Sequence, residues 1–359
     1  MPGLSDNLLN LARLKRQRET VMANLAEPLR LKLVAPSGSN PGELRMLTYV
    51  PPGLPAGAPL VVALHGCTQN AAAYDHGSGW SVLAQRHGFA VLFPEQQRSN
   101  NSNLCFNWFQ SEDITRGRGE VESIRAMVDQ VIGLHQLDPR RVFVTVLSAG
   151  GAMAAAMLAT APELFAGAGL IAGLPYGSAH SMGEAFAAMG QSRHHSAKAW
   201  GDLVRAAAPR SGARPMIQIW HGDADATVNV ENAASLALQW SDVLELSPTP
   251  DRVDEVDGAR HQAWLDGSGV AVLERWSVPG LGHGTPITPG GADLDRSVGV
   301  PGPHMLASSV SSTWHLARSW GLLTQAAAPR PERPAAHAST AAPGGSVIER
   351  ALRTAGLMH

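Results

Sequence analysis

Short, nearly continuous apolar runs recur along this chain at 59–64, 89–93, 141–146, 169–171, 216–220 and 271–276, and each stops abruptly at a polar or glycine-rich loop. A segment that is apolar on both faces must be covered on both faces, which is the situation of a parallel strand between two layers of helices. Helical patterns, such as 121–135 and 151–159, lie between the runs. The alternation predicts an α/β fold, a single catalytic domain built on one doubly wound, mostly parallel sheet. Active sites in such sheets lie at the carboxyl ends of the strands, so the loops after the runs are where chemistry is to be sought.

Composition narrows the partners. Of 359 residues, 44% are hydrophobic and 16% charged, with 37 Gly and 25 Pro, as in a loop-rich globular enzyme. The formal net charge of -2 provides no basic excess for a phosphate backbone or an anionic membrane, so neither nucleic acid nor membrane is an expected partner. Residues 1–27 place Leu4, Leu8 and Leu11 at helical spacing among Arg13, Lys15, Arg16 and Arg18, which reads as an amphipathic helix and not a signal peptide. The catalytic domain is expected over 28–323, followed by a Pro/Ala-rich linker at 324–345 and a short capped helix at 346–359. Oligomeric state is not encoded in any of these features.

Four loops carry residue types that suit acyl transfer. In 143–151, β-branched and aromatic residues run into Ser148, then Ala149, Gly150 and Gly151, before an Ala/Met-rich stretch. Strand, sharp turn and helix with serine at the turn form a nucleophile elbow, in which the helix N-terminus favours developing negative charge. The loop His65, Gly66, Cys67, Thr68 follows the first apolar run, and the backbone amides of Cys67 and Ala149 are the candidate oxyanion donors. After 216–220 come Asp223 and Asp225. Asp225 is preferred as the carboxylate that orients a histidine, and Asp223 is expected to bond the turn backbone. His283 sits among Gly280, Gly282 and Gly284 and completes the order Ser, Asp, His found in α/β hydrolases. His65, His221, His261 and His315 read as turn, core or surface residues, and no pair shows metal-ligand spacing.

The motifs LHGCTQ (64–69), CFNWF (105–109), LSAGGAM (147–153), AGLPYG (172–177), WHGDADATV (220–228) and GLGHGTP (280–286) resemble the poly(3-hydroxybutyrate) depolymerase and feruloyl-esterase-like family of serine esterases, over roughly residues 38–322. The resemblance implies an α/β-hydrolase fold, hydrolysis of short-chain polyhydroxyalkanoate or related carboxylic esters, no metal, no organic cofactor and an extracellular location, with a cytoplasmic one as the alternative because no signal peptide is read. An esterase for small soluble feruloyl or acetyl esters is the alternative. Trp108, Tyr176 and Trp80 are candidates to line the substrate cleft. Cys67 and Cys105 are expected to form a disulfide between loops at one end of the sheet, with two buried free thiols as the alternative. One position departs from the family pattern. Val146 stands where the elbow usually has glycine, and a crowded strand–helix contact there would lower activity, in the extreme leaving an ester-binding protein of weak catalysis.

Overall fold

The computed structural model describes residues 30–207 and 215–324. The readings of 1–27 and 346–359 as helices, and of the linker beyond Thr324, lie outside the described residues.

Six strands form the parallel centre of one ten-stranded sheet: β3 (Leu60–Leu64), β4 (Ala90–Glu95), β5 (Val142–Leu147), β6 (Gly167–Ile171), β7 (Met216–Gly222) and β10 (Ala271–Val278). All six match apolar runs read from the sequence. Every residue of β3, β4, β5 and β6 is buried, as strands covered on both faces must be. The sheet continues outward with β2 (Arg45–Tyr49) and β1 (Lys32–Val34) on one side, β9 (Ala259–Leu265) and β8 (Arg252–Val256) on the other, all antiparallel, in the order β1-β2-β4-β3-β5-β6-β7-β10-β9-β8. These four were absent from the sequence reading. Their faces are partly wet, so they lack the continuous apolar signature, and β8 is exposed along nearly its whole length. A separate parallel pair joins β11 (Thr285–Ile287) to β12 (Met305–Ala307).

Side chains alternate between two cores. Leu60, Val62, Leu64, Val144 and Val146 face the layer of α3 (Gly119–His135), α4 (Ala149–Thr160) and α7 (Glu231–Val243). Val61, Ala63, Phe143 and Leu147 face α1 (Ala71–Ser78), α2 (Trp80–His87) and α8 (Ser312–Ser319). Helices α5 (Met182–Gly190) and α6 (Ala197–Ala207) occupy the β6–β7 connection. Helix α8 opens where the Ser311 side chain accepts from the Trp314 amide, and it stops before Gly321, which has φ +61°.

Val146 is not the crowded position. It packs into the first core, opposite Leu64 on β3 and Leu170 on β6, with no exposure. The close strand–helix approach comes after the serine instead. A Cβ on Gly150 would lie 2.8 Å from the carbonyl oxygens of both Leu64 and His65, and one on Gly151 would lie 2.7 Å from Gly173 Cα. The valine sits where the strand is still among its sheet neighbours, so its methyl groups fill core volume.

Candidate active site

The four loops meet at the carboxyl ends of β3, β5, β7 and β10. Ser148 ends β5 with φ 56° and ψ -117°, a conformation that L-residues avoid and that persists because the surroundings impose it. Its amide bonds the Ile171 carbonyl at 2.9 Å, and α4 begins at the next residue. The turn thus lifts the hydroxyl above the sheet at a helix N-terminus.

His283 Nε2 lies 2.9 Å from Ser148 Oγ, and His283 Nδ1 lies 2.8 Å from Asp225 Oδ2. The carboxylate accepts from Nδ1–H, which leaves the Nε2 lone pair facing the serine hydroxyl. The other oxygen, Asp225 Oδ1, accepts from the amides of Thr227 at 2.8 Å and Val228 at 2.9 Å. Burial opposes charge on Asp225, but hydrogen bonds from His221, His283 and the Val228 amide outweigh it and hold the carboxyl well below the usual range. Asp223 instead accepts from the Gly280 amide at 2.6 Å, tethering the loop that carries His283. A hydroxyl, an imidazole and a carboxylate in this relay suit nucleophilic acyl transfer.

The loop after β3 is held from several sides. Gln69 Oε1 accepts from the Gly66 amide at 2.9 Å, the Thr68 amide bonds the Asn103 carbonyl at 2.7 Å, and His65 Nε2 accepts from the Gln96 amide at 3.1 Å. Among the described residues the Cys67 amide has no acceptor, and the Ala149 amide opens a helix, where no intrahelical partner exists. Both residues border the same cavity as Ser148. A disulfide joins Cys67 to Cys105, tying this loop to the one after β4. Beneath that bridge, buried Glu120 accepts from Gln96 Nε2 at 2.5 Å and from the Asn107 amide at 2.9 Å. Burial, reinforced by the charge of Asp113, pushes its carboxyl up to about 8.

A cavity of about 470 Å³ opens from Ser148, lined by both apolar and amide side chains. The apolar lining comes from Trp108, Phe109 and the Met182, Ala185, Phe186 and Met189 stripe of α5, whose Met182 and Phe186 are 58% and 64% exposed. The amide lining comes from Asn100, Asn101, Asn103 and Asn107, on the loop that also carries Trp108 and Phe109. A smaller cavity of about 200 Å³ lies over Ser148 and His283, closed by Thr227 and His304.

Of the three aromatic candidates, only Trp108 lines the cleft. Trp80 is buried in the opposite core, stacked on Trp320 with ring centroids 5.8 Å apart, because it opens α2 on the face turned to the sheet. Tyr176 is half-buried against the first core, its amide and carbonyl both held by the Gln239 side chain, and it does not border the cavity. The α5 stripe was missed, although its i, i+3, i+4, i+7 apolar spacing was readable. Two further histidines stand beside Asp225 and His283, of which the sequence reads His221 as a turn, core or surface residue and does not single out His304. His304 sets Nδ1 3.2 Å from the His283 carbonyl, and His221 reaches to 3.3 Å from Asp225. Neither stands in a glycine-rich loop like that of His283, so nothing in the sequence separated them from packing residues. Among the described residues no group of three or more His, Cys, Asp or Glu is placed to hold a metal ion, and no helix is long and apolar enough to cross a membrane.

Comparison with known proteins gives the family of the chain. Residues 44–254 match the family model described as Esterase PHB depolymerase. The chain is 46% identical over 295 residues to poly(3-hydroxyalkanoate) depolymerase C of Paucimonas lemoignei, spanning 82% of this chain and 70% of that protein. It is 33% identical over 266 residues to a probable acetylxylan esterase A of Aspergillus fumigatus, spanning 72% and 70%. Among solved structures, the acetyl xylan esterase from Aspergillus awamori superposes with a TM-score of 0.65 at 29% identity, over 70% of this chain and 93% of that one. With its α/β-hydrolase sheet, its elbow serine and these relatives, the chain belongs to the esterase PHB depolymerase family and is a carboxylic ester hydrolase.

Proposed function

We propose that this esterase cleaves short-chain poly(3-hydroxyalkanoate), with Ser148 as nucleophile, His283 as general base and acid, and Asp225 as the group that orients the imidazole. His283 Nε2 takes the Ser148 proton as Oγ attacks the ester carbonyl, and the Cys67 and Ala149 amides receive the oxyanion. The tetrahedral intermediate collapses, the C–O bond to the leaving alcohol breaks, and His283 protonates that alcohol. Water then attacks the acyl-serine with its proton passing to His283, the bond from the acyl carbon to Oγ breaks, and His283 returns the proton to Ser148 Oγ as the acid leaves. Asp225 remains ionised throughout and stabilises the imidazolium.

The observation that carries the polymer reading is the mixed lining of the cavity opening on Ser148. An aliphatic polyester alternates hydrocarbon with ester oxygens, and a cleft lined by both apolar and amide side chains answers both. The exposed Met182 and Phe186 add apolar surface to that cleft. The 46% identity to a protein named as a poly(3-hydroxyalkanoate) depolymerase supports the same substrate class. The Cys67–Cys105 bridge fits work in an oxidising compartment outside the cytosol.

A second reading, an esterase for small acetyl esters, is favoured by the amide lining itself, since Asn100, Asn101 and Asn103 also suit sugar hydroxyls. Release of soluble acid from a poly(3-hydroxybutyrate) film, compared with deacetylation of acetylated xylan by the same preparation, separates the two. Film erosion that is lost in Ser148→Ala is the expected result. Rapid xylan deacetylation with an intact film overturns the polymer reading.

A further inference from the structure

His221 is the last residue but one of β7 and its side chain is only 1% exposed. Its Nε2 lies 2.8 Å from the Val228 carbonyl oxygen and 3.3 Å from Asp225 Oδ2. Both of those atoms only accept, so Nε2 carries the hydrogen, directed chiefly at the Val228 carbonyl oxygen with Asp225 Oδ2 as the longer second acceptor. Its other nitrogen, Nδ1, is buried without a partner among the described residues. Two histidines therefore approach one carboxylate oxygen from different sides: His283 from the β10 loop and His221 from beneath, within the β7 strand.

We propose that His221 is a positioning residue for the triad, a buried clamp that sets the rotamer and basicity of Asp225. The inference rests on the assignment of Asp225 and His283 to the triad. Geometry supplies the reason. The loop from Asp223 to Val228 leaves the strand and returns, and Asp225 Oδ1 is satisfied by the Thr227 and Val228 amides inside that loop. Those bonds alone leave Oδ2 free to swing. The His221 hydrogen bridges Val228 O to Oδ2, closing the loop across its mouth and presenting Oδ2 to His283 Nδ1. By donating to a carboxylate that already accepts three other hydrogen bonds, His221 also withdraws charge from it, so that Asp225 holds the imidazolium of His283 firmly enough to form and loosely enough to release its proton. The other charged or titratable groups around this point are Asp223, bonded to Gly280, and His304, whose ring stands edge-on to His283 at 5.7 Å.

The test compares His221→Leu, which removes the donor, with His221→Gln, whose amide nitrogen ends near the position of Nε2. Both are assayed on one soluble short-chain ester across pH, with the parent and Ser148→Ala alongside. His221→Leu should lower kcat by roughly ten- to a hundredfold, the worth of a hydrogen bond to a charged group, with little change in KM. Its acidic limb of kcat/KM should move to higher pH, because a carboxylate with one donor fewer holds the imidazolium proton more tightly. His221→Gln should recover most of the rate and the parent's limb. If His221→Leu does not fold, His221→Asn replaces it, since its shorter amide ends near Nδ1 and cannot reach Oδ2. Donorless variants with parental kcat and limb overturn the proposal. So does an equal loss in His221→Gln with an unmoved limb, which would mark His221 as a packing residue. An active Ser148→Ala would instead overturn the triad itself.

Discussion

Replacing Gly150 by alanine probes the contact on which the elbow depends. The added Cβ would stand 2.8 Å from the Leu64 and His65 carbonyl oxygens and 3.0 Å from Leu64 Cβ, against an ordinary contact that begins at 3.4 Å. Two of the three obstacles are backbone, so they cannot rotate aside. The shortfall of about 0.6 Å must be met by separating the N-terminus of α4 from the end of β3, an overpacking cost of roughly 1 to 3 kcal/mol. That displacement also moves the Ala149 amide away from the Cys67 amide. Since misplacement by about 1 Å costs on the order of a hundredfold in rate, 0.6 Å scaled in the logarithm gives roughly fifteenfold in kcat. KM should change little, because the walls supplied by α5 and Trp108 are not involved. Gly133→Ala is the control, as it lies in α3 with nothing within 4 Å of the added atom. It should gain about 0.5 to 1 kcal/mol of stability and leave kcat unaltered. Steady-state kinetics on a soluble ester and thermal melts of the three proteins decide the matter. A Gly150→Ala enzyme within about twofold of the parent in kcat would refute the reasoning that joins this contact to the oxyanion site.

Asp225→Asn should lower kcat by about four orders of magnitude by stabilising the wrong imidazole tautomer, whereas Asp223→Asn, which only loosens the Gly280 tether, should cost far less; equal losses in rate assays would contradict the division of roles. Glu120→Gln should flatten the pH dependence of stability. The Glu120 carboxyl titrates at about 8 in the fold, above its ordinary value near 4.5, so its favourable contribution is complete below about pH 4.5 and is lost as pH rises through 8. Denaturant titrations from pH 5 to 9 should therefore show the parent losing stability on the order of a few kcal/mol more than Glu120→Gln, and parallel curves would exclude a buried, neutral Glu120. Double replacement of Cys67 and Cys105 by serine opens a link of sequence separation 38, which should cost roughly 3 to 4 kcal/mol and reduce kcat through a looser oxyanion loop; an unchanged melting temperature would show that Gln69 and Asn103 hold the loop unaided.

The legible part of the fold was the part buried on both faces. Strands β3 to β6 announce themselves as apolar runs because every residue in them is buried, and β7 and β10 because most or half of theirs are, while Arg252–Val256 could not be read as a strand when nearly all of its side chains are solvated. Ser148, Asp225 and His283 were legible for a related reason: each stands where a strand stops and small residues crowd, and that local pattern survives without knowledge of the fold. The choice of Asp225 over Asp223 came from the same local pattern. Val146 misled because family pattern was taken for packing need, whereas the need for absent side chains falls on Gly150 and Gly151. Trp80 and Trp108 look alike in sequence, and only the helix face turned to the core distinguishes a packing ring from a cleft ring. His221 was invisible because its role lies in a partner brought near by a returning loop.

The position of β10 in the sheet has a consequence for the order in which the molecule comes into being. Ser148 and Asp225 leave the ribosome with strands that can already pair, but the imidazole follows β10, which must seat between β7 and the earlier-made β9. Serine and histidine are 135 positions apart, so at about 5 to 20 residues per second Ser148 waits roughly 7 to 27 seconds for the imidazole proposed as its base. A chain interrupted between Ser148 and His283 therefore carries an elbow serine without the imidazole that stands 2.9 Å from it in the finished fold.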